Sequence, residues 1–232
     1  MSADGPTPQA PYGALRSYGR IKSRPIKARQ AEAVERLMPQ LALDISQPID
    51  AKGLKPDAAE VWLEIGFGGG EHMAAQAQLR PDVLILGAEP FVNGLASAAR
   101  HIDERSLTNI RLHHGDAREV MLALPDASLD RVFVLFPDPW PKSRHHKRRI
   151  VQSDTLAHFV RLLKPGGQLR FATDWAAYVD WTLERALKTP GLAWDAVSAD
   201  DWRVPPADHV TTRYETKKLG DCAPVFLDFR RV

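Results

Sequence analysis

From Val61 to Thr173, short apolar runs of strand length alternate with longer stretches in which apolar residues recur every three or four positions. The runs "VWLEI", "VLILGAE", "IRLHH", "RVFVLF" and "QLRFAT" read as five strands, and the stretches between them, such as Ile150–Leu163, as helices. Strands that alternate with helices form βαβ units, and such units assemble a parallel sheet. Upstream, "ARQAEAVERLMPQL" has the spacing of a short amphipathic helix, and "SQPIDAKGLKPDA" the composition of a linker. Downstream, "TDWAAYVDWTLERALK" predicts a further helix, after which "LAWDAV" and "APVFLDFRRV" predict two more strands, closing the sheet as an antiparallel hairpin. The fold class is therefore α/β with a mainly parallel sheet, uninterrupted by repeats or low-complexity tracts.

A chain of 232 residues fits one domain with a sizeable core. No apolar run approaches the roughly 18 residues of a membrane span. The opening "MSADGPTPQAPYG" lacks both regions of a secretory signal, and Cys222, the only cysteine, excludes an internal disulfide. These features predict a cytoplasmic protein. The net charge of +2 implies no partner by itself, but its distribution does. Arg16, Arg20, Lys22, Arg24, Lys27 and Arg29 fall in a stretch without acids between Asp4 and Glu32; Lys142, Arg144, Lys147, Arg148 and Arg149 form a second block. A single charge run is most often a solvated face. Two in one small domain point to an anionic polymer. Residues 1–30 are expected to form a mobile basic arm and residues 31–232 the single folded domain, with monomer and homodimer both left open.

In open α/β sheets ligands bind beyond the carboxyl ends of the strands, so the residues just after each strand carry the chemistry. After "VWLEI" comes "GFGGG", in which Gly66, Gly68 and Gly70 let a ligand approach the backbone. The spacing is not the G-x-G-x-x-G of dinucleotide enzymes, and Glu64, two residues before the first glycine, would repel a pyrophosphate. It suits a cationic ligand such as S-adenosylmethionine instead. Glu89 ends the second strand 19 residues past Gly70, near the spacing of an acid that binds ribose hydroxyls. Asp116, after the third strand, is divided between a helix N-cap and an adenine contact. The fourth strand delivers Asp138 inside "FPDPWPKSRHHKRR", where two prolines stiffen the loop around the acid. Methyltransferases of this architecture place the group facing the acceptor there. A Pro-rich surface turn is the plain alternative.

The stretch "FPDPWPKSRHHKRR", with "EIGFGGG", "ATDWAAYVDW" and "TTRYETK", resembles the bacterial tRNA (guanine-N7-)-methyltransferase family, which modifies guanosine 46 in the variable loop. The likeness runs from about Val61 to the C-terminus. It implies a class I, Rossmann-like methyltransferase fold dependent on S-adenosylmethionine. It further implies Glu64, Glu89 and Asp116 as cofactor contacts and Asp138 as a catalytic aspartate that also lies near the cofactor. Lys142, Asp174, Thr212, Arg213, Tyr214 and Glu215 match substrate-binding positions. "GAEPF" departs from the family pattern at Pro90. Guanine N7 already carries a lone pair, so the reaction calls for positioning and charge compensation rather than a base.

Other readings are weaker. Asp174 has a plain alternative as an N-cap, and Trp140 as a packing residue. The pairs His113–His114 and His145–His146 lack the spacing of a metal site, so no metal is expected. Cys222 is far in sequence from the fourth strand end and is not read as a nucleophile. An adenine exocyclic-amine methyltransferase would want a second proline after Asp138. A nicotinamide dehydrogenase is disfavoured by Glu64, and a catalytically silent RNA-binding module by the intact set of acids.

Overall fold

The computed structural model describes residues 25, 26 and 28–232. Of the basic arm, Arg16, Arg20, Lys22, Arg24 and Lys27 lie outside the described residues, as does the side chain of Arg29. The elements follow in the order α1 (Ala28–Leu41), α2 (Ala51–Leu54), β1 (Glu60–Ile65), α3 (Glu71–Leu79), β2 (Val83–Ala88), α4 (Val92–Glu104), β3 (Ile110–His113) and α5 (Ala117–Ala123). After these come β4 (Leu129–Leu135), α6 (Ser153–Leu162), β5 (Leu163–Thr173), α7 (Ala176–Ala186), β6 (Leu192–Trp194), α8 (Asp200–Arg203) and β7 (Val225–Arg231).

All seven strands form one sheet in the order β3-β2-β1-β4-β5-β7-β6. The first five pair in parallel, and β7 enters antiparallel between β5 and β6. The two C-terminal strands do pair, but a long segment carrying α8 and a 3-10 turn at Glu215–Lys217 joins them instead of a tight hairpin turn. β5 also starts earlier than its apolar run. The Pro-Gly-Gly stretch remains in the strand, and the pairing with β4 shifts register between Leu129 and Arg131.

The strand order reverses at β1, which has β2 on one side and β4 on the other, so a crevice opens beyond their carboxyl ends. β2 is buried along its whole length, as expected of a central parallel strand covered on both faces. Leu63 joins the core shared with α5, α6 and α7, whereas Trp62 joins the one shared with α1, α3 and α4. The two-residue period of a strand therefore puts Glu64 on the α3 side. Among the described residues no helix is long and apolar enough to cross a membrane.

Candidate active site

The turn after β1 places Gly66, Gly68 and Gly70 at φ of +69°, +53° and +78°, a region that L side chains rarely enter. A Cβ on Gly66 or Gly68 would meet no atom within 4 Å, so this part of the turn opens onto unfilled space. Gly70 differs. Its Cβ would lie 2.6 Å from that of Ala98, so this glycine packs α3 against α4.

Glu64 is buried, and its Oε2 lies 2.7 Å from Nδ1 of His72 in α3. Glu89, also buried, accepts from the amides of Gly68 (2.8 Å) and Phe91 (2.9 Å). Pro90 has no N–H, which leaves the amide of Phe91 as the first available beyond the acid. Burial pushes the Glu89 carboxyl upward, the two amides pull it back, and the charge of Asp138 adds to the upward shift. Asp116 caps α5 in a capping box with Glu119, accepting from the amide of Arg118. Arg118 also grips the same carboxylate through Nε (2.9 Å) and Nη2 (2.7 Å). Burial raises the Asp116 carboxyl, but these bonds hold it below its ordinary range.

Asp138 stands exposed at the end of β4, between two strained residues. Phe136 and Trp140 hold φ of +49° and +43°, each at an expense of roughly 1–3 kcal/mol that persists only where the surroundings impose it. The impositions are visible. The Phe136 amide donates to the carbonyl of Ala172, and its ring lies 5.6 Å from that of Tyr214. Arg149 is buried over the rings of Tyr178 and Trp181, and its Nε donates to the carbonyl of Pro139 at 2.9 Å. Arg149 thus leaves the expected cationic face and becomes an internal tie. Lys142, Arg144 and Lys147 remain exposed on or beside a 3-10 turn at Ser143–Arg148. Trp140 packs against His145 and lies under Arg148.

Asp174, after β5, is buried and does not cap α7; Asp221 accepts from the Ala176 amide instead. The Asp174 carboxylate accepts from the Gly220 amide (3.0 Å) and the Tyr214 hydroxyl (3.3 Å). Burial raises the Tyr214 phenol, and the charges of Asp174 and Asp138 add to that shift. The charge of Asp138 thus reaches both Glu89 and Tyr214. In the next turn Arg213 is exposed, and Glu215 points inward. Glu215 accepts from the Thr212 amide at 2.7 Å and lies 2.8 Å from Nε2 of His209. Among the described residues no cluster of His, Cys, Asp or Glu could hold a metal ion.

Residues 58–226 match a family described as "Putative methyltransferase". A tRNA (guanine-N(7)-)-methyltransferase of Caulobacter sp. (strain K31) is 61% identical, over 97% of this chain and 99% of that protein. The enzyme of the same name from Hyphomonas neptunium is 50% identical over 93% and 99%. The chain belongs to the tRNA (guanine-N(7)-)-methyltransferase family. Solved structures extend the likeness at the level of fold. One is an antibiotic-related methyltransferase (TM-score 0.58, 15% identity, 84% of this chain and 99% of that one). Another is a variant of the 16S rRNA (adenine(1408)-N(1))-methyltransferase of Catenulisporales acidiphilia with its cosubstrate SAM (TM-score 0.55, 20% identity, 82% and 92%). The fold is that of the class I, S-adenosylmethionine-dependent methyltransferases.

The residues present fit such a cofactor. Two glycines face open space beside two buried acids at the switch point of the sheet. Sequence reasoning missed the polar partners His72, Gln76, Asp208 and His209. The pair His72 and Gln76, four apart and so on one face of α3, was the available signal.

Proposed function

We propose that this chain transfers the methyl group of S-adenosylmethionine to N7 of guanosine 46 in the variable loop of tRNA, in the cytoplasm. The observation that carries the reading is Asp138, exposed just beyond β4 between the strained residues Phe136 and Trp140, with its charge reaching both Glu89 and Tyr214. Glu64, Gly66, Gly68 and Glu89 would hold the cofactor directly. Gly70 shapes the turn, and Asp116 borders the same crevice with Arg118 across its carboxylate. When bound, S-adenosylmethionine supplies an electrophilic methyl group on a sulfonium.

The protein's own task is to aim the purine and to offset the positive charge that N7 methylation creates. Asp138 does both, by accepting from the N–H edge of guanine and by its own negative charge. Lys142 contacts the tRNA backbone, while Asp174 and Thr212, Arg213, Tyr214 and Glu215 shape the acceptor side. Because N7 lies in the deep groove of A-form RNA, the guanosine has to be exposed before it reaches Asp138.

Transfer of labelled methyl to tRNA lacking 7-methylguanosine, followed by nucleoside analysis, tests the reading. Label is expected in 7-methylguanosine at position 46, and Asp138→Ala is expected to lower kcat by a factor on the order of 100. Label in another nucleoside would overturn the acceptor, and an unchanged kcat would remove Asp138 from the reaction.

A further inference from the structure

Between Glu64 and the Thr212–Glu215 turn runs a chain of polar side chains, of which His72, Gln76 and His209 have no part in the proposed chemistry. It starts at Glu64, whose Oε2 is 2.7 Å from Nδ1 of His72. Nε2 of His72 is 3.3 Å from Nε2 of Gln76, and the same Gln76 nitrogen donates to the carbonyl of Asp208 at 2.6 Å. The next residue, His209, puts Nε2 2.8 Å from Glu215, which accepts from the amide of Thr212. The two imidazoles lie 6.5 Å apart, walled by Phe133 and Phe226.

One proton assignment satisfies the first half of this chain. Glu64 can only accept, so His72 carries its proton on Nδ1 and presents a lone pair at Nε2. Gln76 has two amide protons, one for that lone pair and one for the Asp208 carbonyl. An imidazole in this tautomer orients the carboxylate without cancelling its charge, which a cationic ligand above it needs. On the other side Glu215 requires the proton of His209 on Nε2, and Nδ1 has no partner among the described residues. Stability alone does not call for these groups, since apolar replacements of buried ionic pairs are often neutral or better.

We propose that His72 and His209 are positioning residues, His72 fixing the Glu64 carboxylate on the methyl-donor side and His209 fixing the Thr212–Glu215 turn on the tRNA side, with Gln76 joining the two halves. The inference rests on the reading of Glu64 as a cofactor contact and of Thr212–Glu215 as a tRNA contact.

Amide substitutions test it in the full-length enzyme, because Asn places its N–H near Nδ1 of histidine and Gln near Nε2. His72→Leu and His72→Gln are expected to weaken S-adenosylmethionine binding, measured by calorimetry without tRNA, by about 10-fold, with His72→Asn restoring most of it. His209→Leu and His209→Asn are expected to raise KM for tRNA by about 10-fold, with His209→Gln restoring it and the affinity for S-adenosylmethionine unmoved. If a leucine variant does not fold, the contrast between Asn and Gln at that position decides the matter. Equal behaviour of Asn and Gln, or equal loss of both ligands at both positions, would reduce the histidines to packing and overturn the proposal. Glu64→Gln is the control. If it leaves S-adenosylmethionine binding intact, the cofactor reading of Glu64 fails; if it weakens binding while His72→Leu does not, only the positioning role of His72 fails.

Discussion

Gly68 and Gly70 stand two residues apart in the turn after β1, both at positive φ, yet a side chain would meet different surroundings at each. At Gly70 a Cβ would fall 2.6 Å from the Cβ and 2.9 Å from the Cα of Ala98, and the backbone of α4 cannot yield as a flexible side chain could. Gly70→Ala therefore combines left-handed strain with overpacking, and is expected to lower stability by about 2–4 kcal/mol in a chemical denaturation series. At Gly68 only the conformational strain applies, about 1–2 kcal/mol, but the new methyl group would stand in the open cradle. Gly68→Ala is expected to weaken S-adenosylmethionine binding on the order of 10-fold in a calorimetric titration, with a smaller loss of stability than Gly70→Ala. The reverse ranking would place the cofactor elsewhere on the turn. Pattern alone assigned all three glycines to the cofactor, because a sequence shows a missing side chain without showing what would have occupied its place.

At the scale of the element, the loop from Phe136 to Arg149 divides its cations between two tasks. Lys142 is exposed, whereas Arg149 is buried and tied to Pro139 and Ala177. Lys142→Ala is expected to raise KM for tRNA and to flatten its dependence on log salt by roughly 0.7–0.9 for each phosphate that the lysine no longer neutralises. Arg149→Lys keeps a positive charge but loses the fork that reaches two carbonyls, so kcat should fall several-fold with the salt slope unchanged. Methyl transfer over a salt series separates the two, and a flatter slope for Arg149→Lys would restore it to the RNA-facing group. The strands and helices were legible because each carries its own period, and the positions of Glu64, Glu89, Asp116, Asp138 and Asp174 at or just beyond five strand ends followed from them. The inward turn of Arg149 was not legible. Neither were His72 and Gln76 beneath the glycine turn, nor Asp208, whose partners lie far away in sequence. Residue type marks such groups as surface, and only the tertiary pairing turns them inward. The Asp116 cap was one of two readings the residues offered. The Asp174 cap was a plausible local motif displaced by a capping residue, Asp221, from the far end of the chain.

At the scale of the whole molecule, the segment between α8 and β7 carries the proposed tRNA-side turn and is tied to β4 and β5 through Arg131 and Arg170. It is fastened at two places. Near its end, Gly220 and Asp221 bind Asp174 and the start of α7. Near its beginning, Asp208 accepts from Arg170 (2.5 Å) and Arg131 (2.8 Å), while Arg170 also holds Asp228 through two bonds of 2.8 Å. Burial raises the Asp208 carboxyl, but the two guanidinium groups outweigh it and bring the pKa down from 3.8 to about 2. The folded state therefore releases this proton at a lower pH than the unfolded chain does, so the unfolded chain binds more protons between those values and stability rises with pH across them. The contribution is fully present above about pH 4 and disappears as the pH falls through about 2. Asp208→Asn should accordingly be less stable than the parent at neutral pH, and the gap should close as acid denaturation is followed from about pH 4 down to about pH 2. A gap of constant size over that range would mean that the pairing with Arg131 and Arg170 does not stabilise the folded state. At neutral pH the same variant should raise KM for tRNA more than it changes S-adenosylmethionine affinity. The carboxylate fastens the segment that carries Thr212–Glu215 and touches neither Glu89 nor the glycine turn.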